Sequence, residues 1–387
     1  MDGLDRRGLL RLLAGAGAAG VTGGLAGCGT TPVDTPKSTI RIGLLAPATG
    51  ANKNIGADLE NGFKLFLEQH DNQLSRHPVE LVIQDEGGTV QQGTQALAEL
   101  HKQNVVAVVG VANPDLLPAI RDSVEKTQVP LLATHGSSAE MASAVYIWRT
   151  AYLNNEPGRA IGLHLKGKGP VAQVALQDNF GREVMAGFAL EFGNASPPIM
   201  VSPTGTPDRA HLTEAIQRTV SSGAKSVFCY LPAPYLVHFW QGLRAAGSTQ
   251  TVYAPGLVSE GAALDQLGAT TGLYTVMQYS ADLTNSANRR FSSLFQNRHS
   301  RPPTAYAVSA YDAAFVLDRA IALIRDDAIT PLRVNLEIAN VGQIISPRGN
   351  WQFTQARAPQ QRWYLRQIRM DGPVLSNVVV SELTTLA

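Results

Sequence analysis

Cysteine is nearly absent: the 387 residues contain two, Cys28 and Cys229. That excludes a disulfide framework, and Cys229, inside the apolar run Val227-Phe228-Cys229-Tyr230, reads as a buried thiol without a partner. Charge is scarce and balanced, with 16% charged residues and a net charge of +1. The stretch up to Cys28 carries three Arg and two Asp, so the remainder is neutral and offers no basic face to nucleic acid. Beyond Cys28 no apolar run is long enough to cross a bilayer. The eight histidines, at 70, 77, 101, 135, 164, 211, 238 and 299, are scattered without metal-ligand spacing. There is no G-x-S-x-G, no H-E-x-x-H and no phosphate-binding P-loop. With neither a nucleophile–base pair nor a metal cluster, an enzyme is the weakest functional reading, and no cofactor or metal is expected.

What is present is concentrated first at the start. Asp5-Arg6-Arg7-Gly8-Leu9-Leu10-Arg11 precedes a run of Ala, Gly and Leu that ends in Leu25-Ala26-Gly27-Cys28. A charged segment, an apolar segment and small residues at a cleavage point are the parts of a secretory signal, and the paired arginines resemble the twin-Arg export signal. The Leu-Ala-Gly-Cys tetrad resembles a bacterial lipobox, in which the cysteine is acylated and becomes the first residue of the mature chain. The expectation is an extracytoplasmic protein held to a bacterial membrane by a lipidated Cys28. Gly15-Ala16-Gly17-Ala18-Ala19-Gly20 has dinucleotide-loop spacing, but it sits inside this leader and not between a strand and a helix, so it carries no nucleotide reading.

Residues 29–38, rich in Thr and Pro, read as a linker. From Thr39 apolar runs alternate with helical patterns: Ile40 to Leu45, a helix through Ile55, Leu59, Phe63 and Leu67, then Val79 to Ile83, a helix to Leu100, Val105 to Val109, a helix around Leu117 to Val124, and Val129 to Leu132. The design restarts at Val171 to Leu176 and continues through helices and strands to Leu273–Tyr279. Two helices follow, Ala287 to Arg298 and Tyr306 to Ile324, and a tail of turn and hairpin strands around Ser346 to Phe353 and Trp363 to Ile368. Short strands separated by amphipathic helices predict parallel βαβ units, here in two open α/β domains.

Several segments in this order carry a family resemblance: Ile42-Gly43-Leu44-Leu45-Ala46-Pro47, Val108-Val109-Gly110, Val129 to Ser138, Asp178-Asn179-Phe180-Gly181, Tyr306-Ala307-Val308-Ser309-Ala310-Tyr311-Asp312 and Ser346-Pro347-Arg348-Gly349. From Thr39 onward the chain resembles the amino-acid-binding lipoproteins and periplasmic proteins of branched-chain-type ABC importers. The resemblance implies a type I periplasmic binding fold: two doubly wound open-sheet α/β domains joined by a three-crossover hinge near Tyr152, Tyr279 and Ile344, with a ligand cleft between them. One lobe would comprise residues 39–151 plus 280–343, the other 152–279 plus 344–387. The function implied is a monomeric solute receptor that closes on a small molecule and delivers it to an ABC permease. A sensor of the same fold that acts on a partner protein is the second reading.

In open α/β sheets ligands bind beyond the carboxyl ends of the strands. Gly136, Ser137 and Ser138 follow the strand ending at Leu132, where their N–H groups and hydroxyls suit a carboxylate; alternatively Ser137 or Ser138 caps the helix containing Met141. His135, beside the same loop, is either a ligand contact or a satisfied loop histidine. Asp178 and Phe180 match the family's Asp-x-aromatic-Gly loop, whose ring walls the pocket; alternatively Phe180 is a core residue. Asn113-Pro114-Asp115 stands where the family places serines, and Asp115 is equally a helix cap. Ala233, between two prolines, replaces a polar or aromatic contact, Ile55 stands where an aromatic is common, and Gly256 stands where the family's carboxylate holds a ligand ammonium. Burying an ammonium without a carboxylate costs several kcal/mol. Unless Asp115 or Asp178 replaces the missing charge, the expected ligand is therefore not a simple branched-chain amino acid; it has an acidic or neutral polar group on Ser137, Ser138 and nearby N–H groups, with an apolar part against Phe180. Asp85-Glu86 is an adjacent carboxylate pair whose members face opposite sides of a strand, which rules out an acid–base couple. It reads as a solvated loop, or, for Asp85, as a brace on the hinge side.

Overall fold

The first apolar run, Ile40–Ala46 (β1), is buried at every position except Arg41, as a strand covered on both faces must be. The structure is a computed structural model that describes residues 37–268, 272–325, 328–372 and 374–386; the leader and Cys28 lie outside them. Among the described residues β1 pairs in parallel with β3 (His77–Asp85) and β4 (Ala107–Gly110), with β2 (Gln73–Leu74) antiparallel to β3. Further parallel strands, β5 (Leu131–Ala133) and β6 (Ile147–Arg149), complete a six-stranded sheet in the order β2-β3-β1-β4-β5-β6. Helices α1 (Lys53–Glu68), α2 (Val90–Lys102) and α3 (Leu116–Thr127) make the crossovers. Leu59, Phe63 and Phe66 of α1 pack in a core on one face, and Leu97, Leu100, Ile120 and Val124 in a core on the other.

A second sheet repeats the plan. It comprises β7 (Val171–Leu176), β8 (Ile199–Val201), β9 (Ser226–Tyr230), β10 (Thr251–Pro255) and β11 (Leu273–Met277), in the order β8-β7-β9-β10-β11. In both sheets the first long strand lies between the second and the third, so each has a switch point, at β1/β4 and at β7/β9, where loops diverge and leave a crevice. The second sheet is covered by α4 (Glu156–Leu165), α5 (Asn179–Phe192), α6 (Thr213–Ser221), α7 (Ala233–Ala245) and α8 (Ala262–Leu267). The chain then forms α9 (Ser286–His299), α10 (Ala305–Leu323) and α11 (Pro331–Ile338). Of these, α10 packs on α1 and α11 on α10, so the chain has returned to the first sheet's core, where Ile344 and Trp351 also bury. It crosses once more to add β12 (Gln352–Phe353), β13 (Pro359–Asp371) and β14 (Val374–Leu386), antiparallel strands beside β11.

Five helix starts are written locally: Thr89, Asp178, Asn285, Thr304 and Thr330 each accept a backbone N–H of the first turn. Cys229 is fully buried and unpaired, as its apolar setting predicts. No helix among the described residues is long and apolar enough to cross a membrane.

Candidate functional site

The carboxyl ends of both sets of parallel strands carry the predicted residues, and the loops there are fixed by acidic side chains. Asp85, the last residue of β3, accepts from Ala48 N (2.7 Å), Thr49 N (3.3 Å), Thr49 Oγ1 (2.7 Å) and Gly87 N (2.8 Å). Desolvation is the largest single influence and pushes it up, yet the bonds from Thr49, Gly87 and Ala48 together hold its carboxyl below its ordinary range. Glu86 is buried and accepts Ala112 N at 2.7 Å and Asn113 N at 2.6 Å; burial pushes its pKa up against those two donors. This corrects the expectation of a solvated loop for Glu86, while Asp85 stays exposed. The chain leaves the strand at Glu86, whose side chain therefore folds beneath the loop after β4 while Asp85 pins the loop after β1.

Asn113 is half-buried, and its Oδ1 accepts Asp115 N at 3.0 Å. Asp115 starts α3 without a side-chain capping bond and stays exposed. It is near enough to Asp178 of the second sheet to disfavour ionisation there. The loop after β5 is stitched to the segment following β6: Ser137 N donates to Tyr152 O at 3.1 Å, and Asn154 N donates to Ser137 O at 2.9 Å. Ser138 caps the short 3-10 turn Ala139–Ser143, its Oγ accepting Glu140 N at 3.2 Å. Gly136 must be glycine, because a Cβ there would sit 2.8 Å from the Tyr152 ring and 2.9 Å from Asn154 Oδ1. Around it three buried polar atoms have no hydrogen-bond partner, namely Ser137 Oγ, Tyr152 Oη and Asn154 Oδ1. His135 stacks on Tyr306 with ring centroids 5.3 Å apart, and burial lowers its pKa to about 4, so the ring is neutral at ordinary pH.

On the second sheet, Asp178 caps α5 through Gly181 N at 2.6 Å and accepts the Tyr230 hydroxyl at 3.3 Å, across the β7/β9 switch point. Burial raises its pKa. Phe180 is buried with its ring 4.7 Å from that of Tyr230. Ala233 opens α7 and is buried. Gly256 has no room for a side chain, since a Cβ would lie 2.6 Å from Arg366 Nη2. The guanidinium that takes this space donates to Glu260 Oε1 at 2.6 Å and to Tyr279 O at 2.9 Å, and Glu260 Oε2 accepts Ala305 N at 2.8 Å. The buried carboxylate of this region is thus Glu260, four residues after the position where the resemblance looked for one, and it is fully engaged.

Tyr152, Tyr230 and Tyr306 complete the arrangement. Desolvation raises the pKa of each hydroxyl, and the three lie near enough to act on one another electrostatically. Ser137, Gly136, Tyr152 and Asn154 form one group, and Asp178, Phe180 and Tyr230 another. What these groups offer a ligand is aromatic faces and neutral hydroxyl and amide groups, with Asp178 already bonded. The sequence reading named the loops but gave no role to Asn154 or Glu260; no local pattern marks either. No group of side chains able to hold a metal ion occurs among the described residues.

The sequence model of the periplasmic binding protein family matches residues 39–373. The chain belongs to that family. A comparison with curated protein sequences gives no match. Solved structures of similar fold include an ABC-transporter solute-binding protein from R. palustris in complex with benzoate, 22% identical over 90% of this chain and 98% of that one, TM-score 0.78. Another from R. palustris, in complex with 4-hydroxybenzoate, is 23% identical over 90% of this chain and 97% of that one, TM-score 0.78. A branched-chain amino acid binding protein from Streptococcus pneumoniae, in complex with isoleucine, is 14% identical over 88% of this chain and 99% of that one, TM-score 0.76. The candidate residues lie in the segments that follow β4, β5, β7, β9 and β10.

Proposed function

We propose that this periplasmic binding protein is the extracytoplasmic receptor of an ABC importer and closes by hinge motion on a small aromatic acid. The observation that carries the reading is the set of unpartnered buried atoms, Ser137 Oγ, Tyr152 Oη and Asn154 Oδ1, in a region walled by the rings of His135, Tyr306, Phe180 and Tyr230. Buried polar atoms without partners cost stability, and a ligand's polar group would complete them. The two hydroxyls can donate to a carboxylate, and the rings accept a flat apolar body. The benzoate and 4-hydroxybenzoate bound by two of the similar structures support this ligand class. Two carboxylates near these rings are already engaged, Glu260 by Arg366 and Ala305 N and Asp178 by Gly181 N and Tyr230. The lobes are residues 39–151 plus 280–343 and 152–279 plus 344–387. The mature monomer is tethered to the membrane through lipidated Cys28, and Cys28→Ala should release it into the soluble fraction.

A thermal-shift panel of benzoate, 4-hydroxybenzoate, leucine and isoleucine tests the ligand class. A ligand at one hundred times its Kd adds about 2.7 kcal/mol, so the aromatic acids should raise the melting temperature and the amino acids leave it unchanged. Stabilisation by leucine or isoleucine with none by either aromatic acid would overturn the reading.

A further inference from the structure

Glu260 follows the short 3-10 turn Gly256–Ser259 beyond the carboxyl end of β10 and is 6% exposed. A carboxylate so deeply buried needs a donor for each oxygen. One comes from the second sheet: Arg366 of β13 donates through Nη1 to Oε1 at 2.6 Å, and the same Nη1 donates to Tyr279 O at 2.9 Å. The backbone before Glu260 is fixed to that sheet as well. Ser259 Oγ donates to Asn377 Oδ1 of β14 at 2.8 Å, and Asn377 Nδ2 donates back to Ser259 O at 2.7 Å.

The second oxygen faces the other way. Oε2 accepts the N–H of Ala305, the first residue of α10, at 2.8 Å, and α10 packs along α1 of the first sheet. The start of α10 is held to α1 by side chains: Thr304 Oγ1 donates to Asp58 Oδ2 at 2.8 Å and accepts Ala307 N at 3.3 Å, while Arg301 pairs with the other oxygen of Asp58. Gly261, with φ +53°, shows how closely the two sides meet, since a Cβ there would lie 3.3 Å from Thr304 Cγ2 and 3.5 Å from Asp58 Oδ2. Two internally bonded frameworks, one belonging to each sheet, are thus joined by the bond between Glu260 and Ala305. The residue after Ala305 is Tyr306, whose ring stacks on His135, whereas Phe180 and Tyr230 stand on the second sheet.

We propose that Glu260 is a positioning residue for ligand binding: a clasp between the two sheets that sets the gap between the His135–Tyr306 rings and the Phe180–Tyr230 rings, with or without ligand. The Ala305 N–H is one of the first-turn donors that a helix cannot satisfy internally, and it lies at the positive end of the helix dipole, where a carboxylate is favoured. Separated, the two frameworks could give both groups to water, so the bond adds little net stability for its own sake. Its effect is on geometry. Arg366 and the Ser259–Asn377 pair keep the carboxylate in place on one side, Asp58 and Thr304 keep the N–H in place on the other, and neither partner can follow the other without breaking its own support.

The clasp rests on the receptor reading only for its use in binding, and its deciding test needs no ligand. Ala305→Pro removes the donor alone. Proline suits the first position of a helix, and Thr304 is already extended, with φ −98° and ψ 169°, as the residue before proline must be. The proline ring carbon takes the place of the N–H and meets Glu260 Oε2, so the frameworks must part. Small-angle scattering of the ligand-free variant should give a larger radius of gyration than the wild type. Where benzoate binds the wild type, calorimetry should show it binding Ala305→Pro about tenfold more weakly, an ordinary size for coupling between a site and a distant contact. Should Ala305→Pro fail to fold, Glu260→Gln serves: its oxygen stays on Arg366 and its amide turns a donor toward the Ala305 N–H, and the same expansion is expected. A folded variant whose scattering matches the wild type's would overturn the clasp, even with a lowered melting temperature, because Glu260 would then be local support for Arg366. That outcome leaves the ligand panel untouched, and an unresponsive panel leaves the scattering test of the clasp standing.

Discussion

Arg366 and Arg348 are both almost fully buried and both paired with a buried carboxylate, yet their surroundings differ. Around Arg366 the accounting is complete: Glu260 Oε1, Tyr279 O, Thr275 Oγ1 and Gly256 O accept from it, and the second oxygen of Glu260 takes the N–H of Ala305 at the start of α10. Around Arg348 it is not. Arg348 Nη2, Asp312 Oδ1, Glu156 Oε1 and Gln361 Oε1 are all buried without partners. A saturated buried pair is a brace that resists change, because every rearrangement breaks a bond in a low-dielectric setting. A cluster with matched donors and acceptors left open has a second arrangement available, reached by a proton or by water. The contrast assigns rigidity to the second sheet's edge and adjustability to the passages between the sheets.

The largest effect expected from this contrast is on Arg366. Arg366→Met leaves Glu260 buried and uncompensated, a loss of about 3 to 5 kcal/mol, measurable by chemical denaturation. Arg348→Met should cost less at mildly acid pH, because Asp312 keeps its bonds from Ser346 and Trp351 and can take up a proton. Equal losses for the two variants would remove the distinction.

The alternation of apolar runs and helical patterns made both sheets legible from sequence, since central parallel strands are buried on both faces and read as continuous apolar segments. It missed β6, a three-residue strand containing Arg149, and α4, whose Pro157, Gly158 and Gly162 look like breakers but let the helix pack closely against α5. The Asp178–Tyr230 bond joins residues 52 apart and the Glu260–Arg366 pair residues 106 apart. Sequence spacing carries no trace of such contacts. Lone arginines inside apolar runs, Arg149 after Ile147-Trp148 and Arg366 after Trp363-Tyr364-Leu365, were the available signal, because a charge within a buried strand requires a partner. The rule for strand ends pointed to the candidate loops, but not to which of their atoms lack partners.

Next in size is the pH dependence of the adjustable cluster. Burial raises Asp312 from 3.8 to about 6, with Arg348, Ser346 and Trp351 opposing. A folded-state value above the unfolded one means that the native protein binds more protons between the two, so stability is greatest below about 4 and falls as pH rises to about 6. The expected fall from this group is on the order of 2 to 3 kcal/mol. Asp312→Asn should flatten that part of the stability–pH curve. An unchanged slope in Asp312→Asn would place the titration elsewhere.

A smaller loss is expected at Gly136. Alanine there pushes its methyl into the Tyr152 ring and Asn154 Oδ1, and overpacking of this kind costs about 1 to 3 kcal/mol. Because Tyr152 belongs to both the ligand group and the hinge passage, Gly136→Ala should weaken the response to aromatic acids as well as lower the melting temperature. A variant that melts like the wild type would show that the ring is free to move aside.

The smallest effect on stability is the most informative about the site. Ser137 Oγ is buried and makes no hydrogen bond, so Ser137→Ala removes a polar atom that gains nothing from the fold. Deleting an unsatisfied buried group is neutral or mildly stabilising, and the ligand-free variant should match the wild type within about 0.5 kcal/mol or exceed it. Ligand-bound protein should behave oppositely, since a hydroxyl donating to a carboxylate is worth about 1.5 to 3 kcal/mol. Titrating both proteins with benzoate by calorimetry separates the two terms. Unchanged stability with affinity reduced tenfold or more marks Ser137 as a ligand contact. Lost stability with unchanged affinity would make its hydroxyl a structural group and move the site away from the loop after β5.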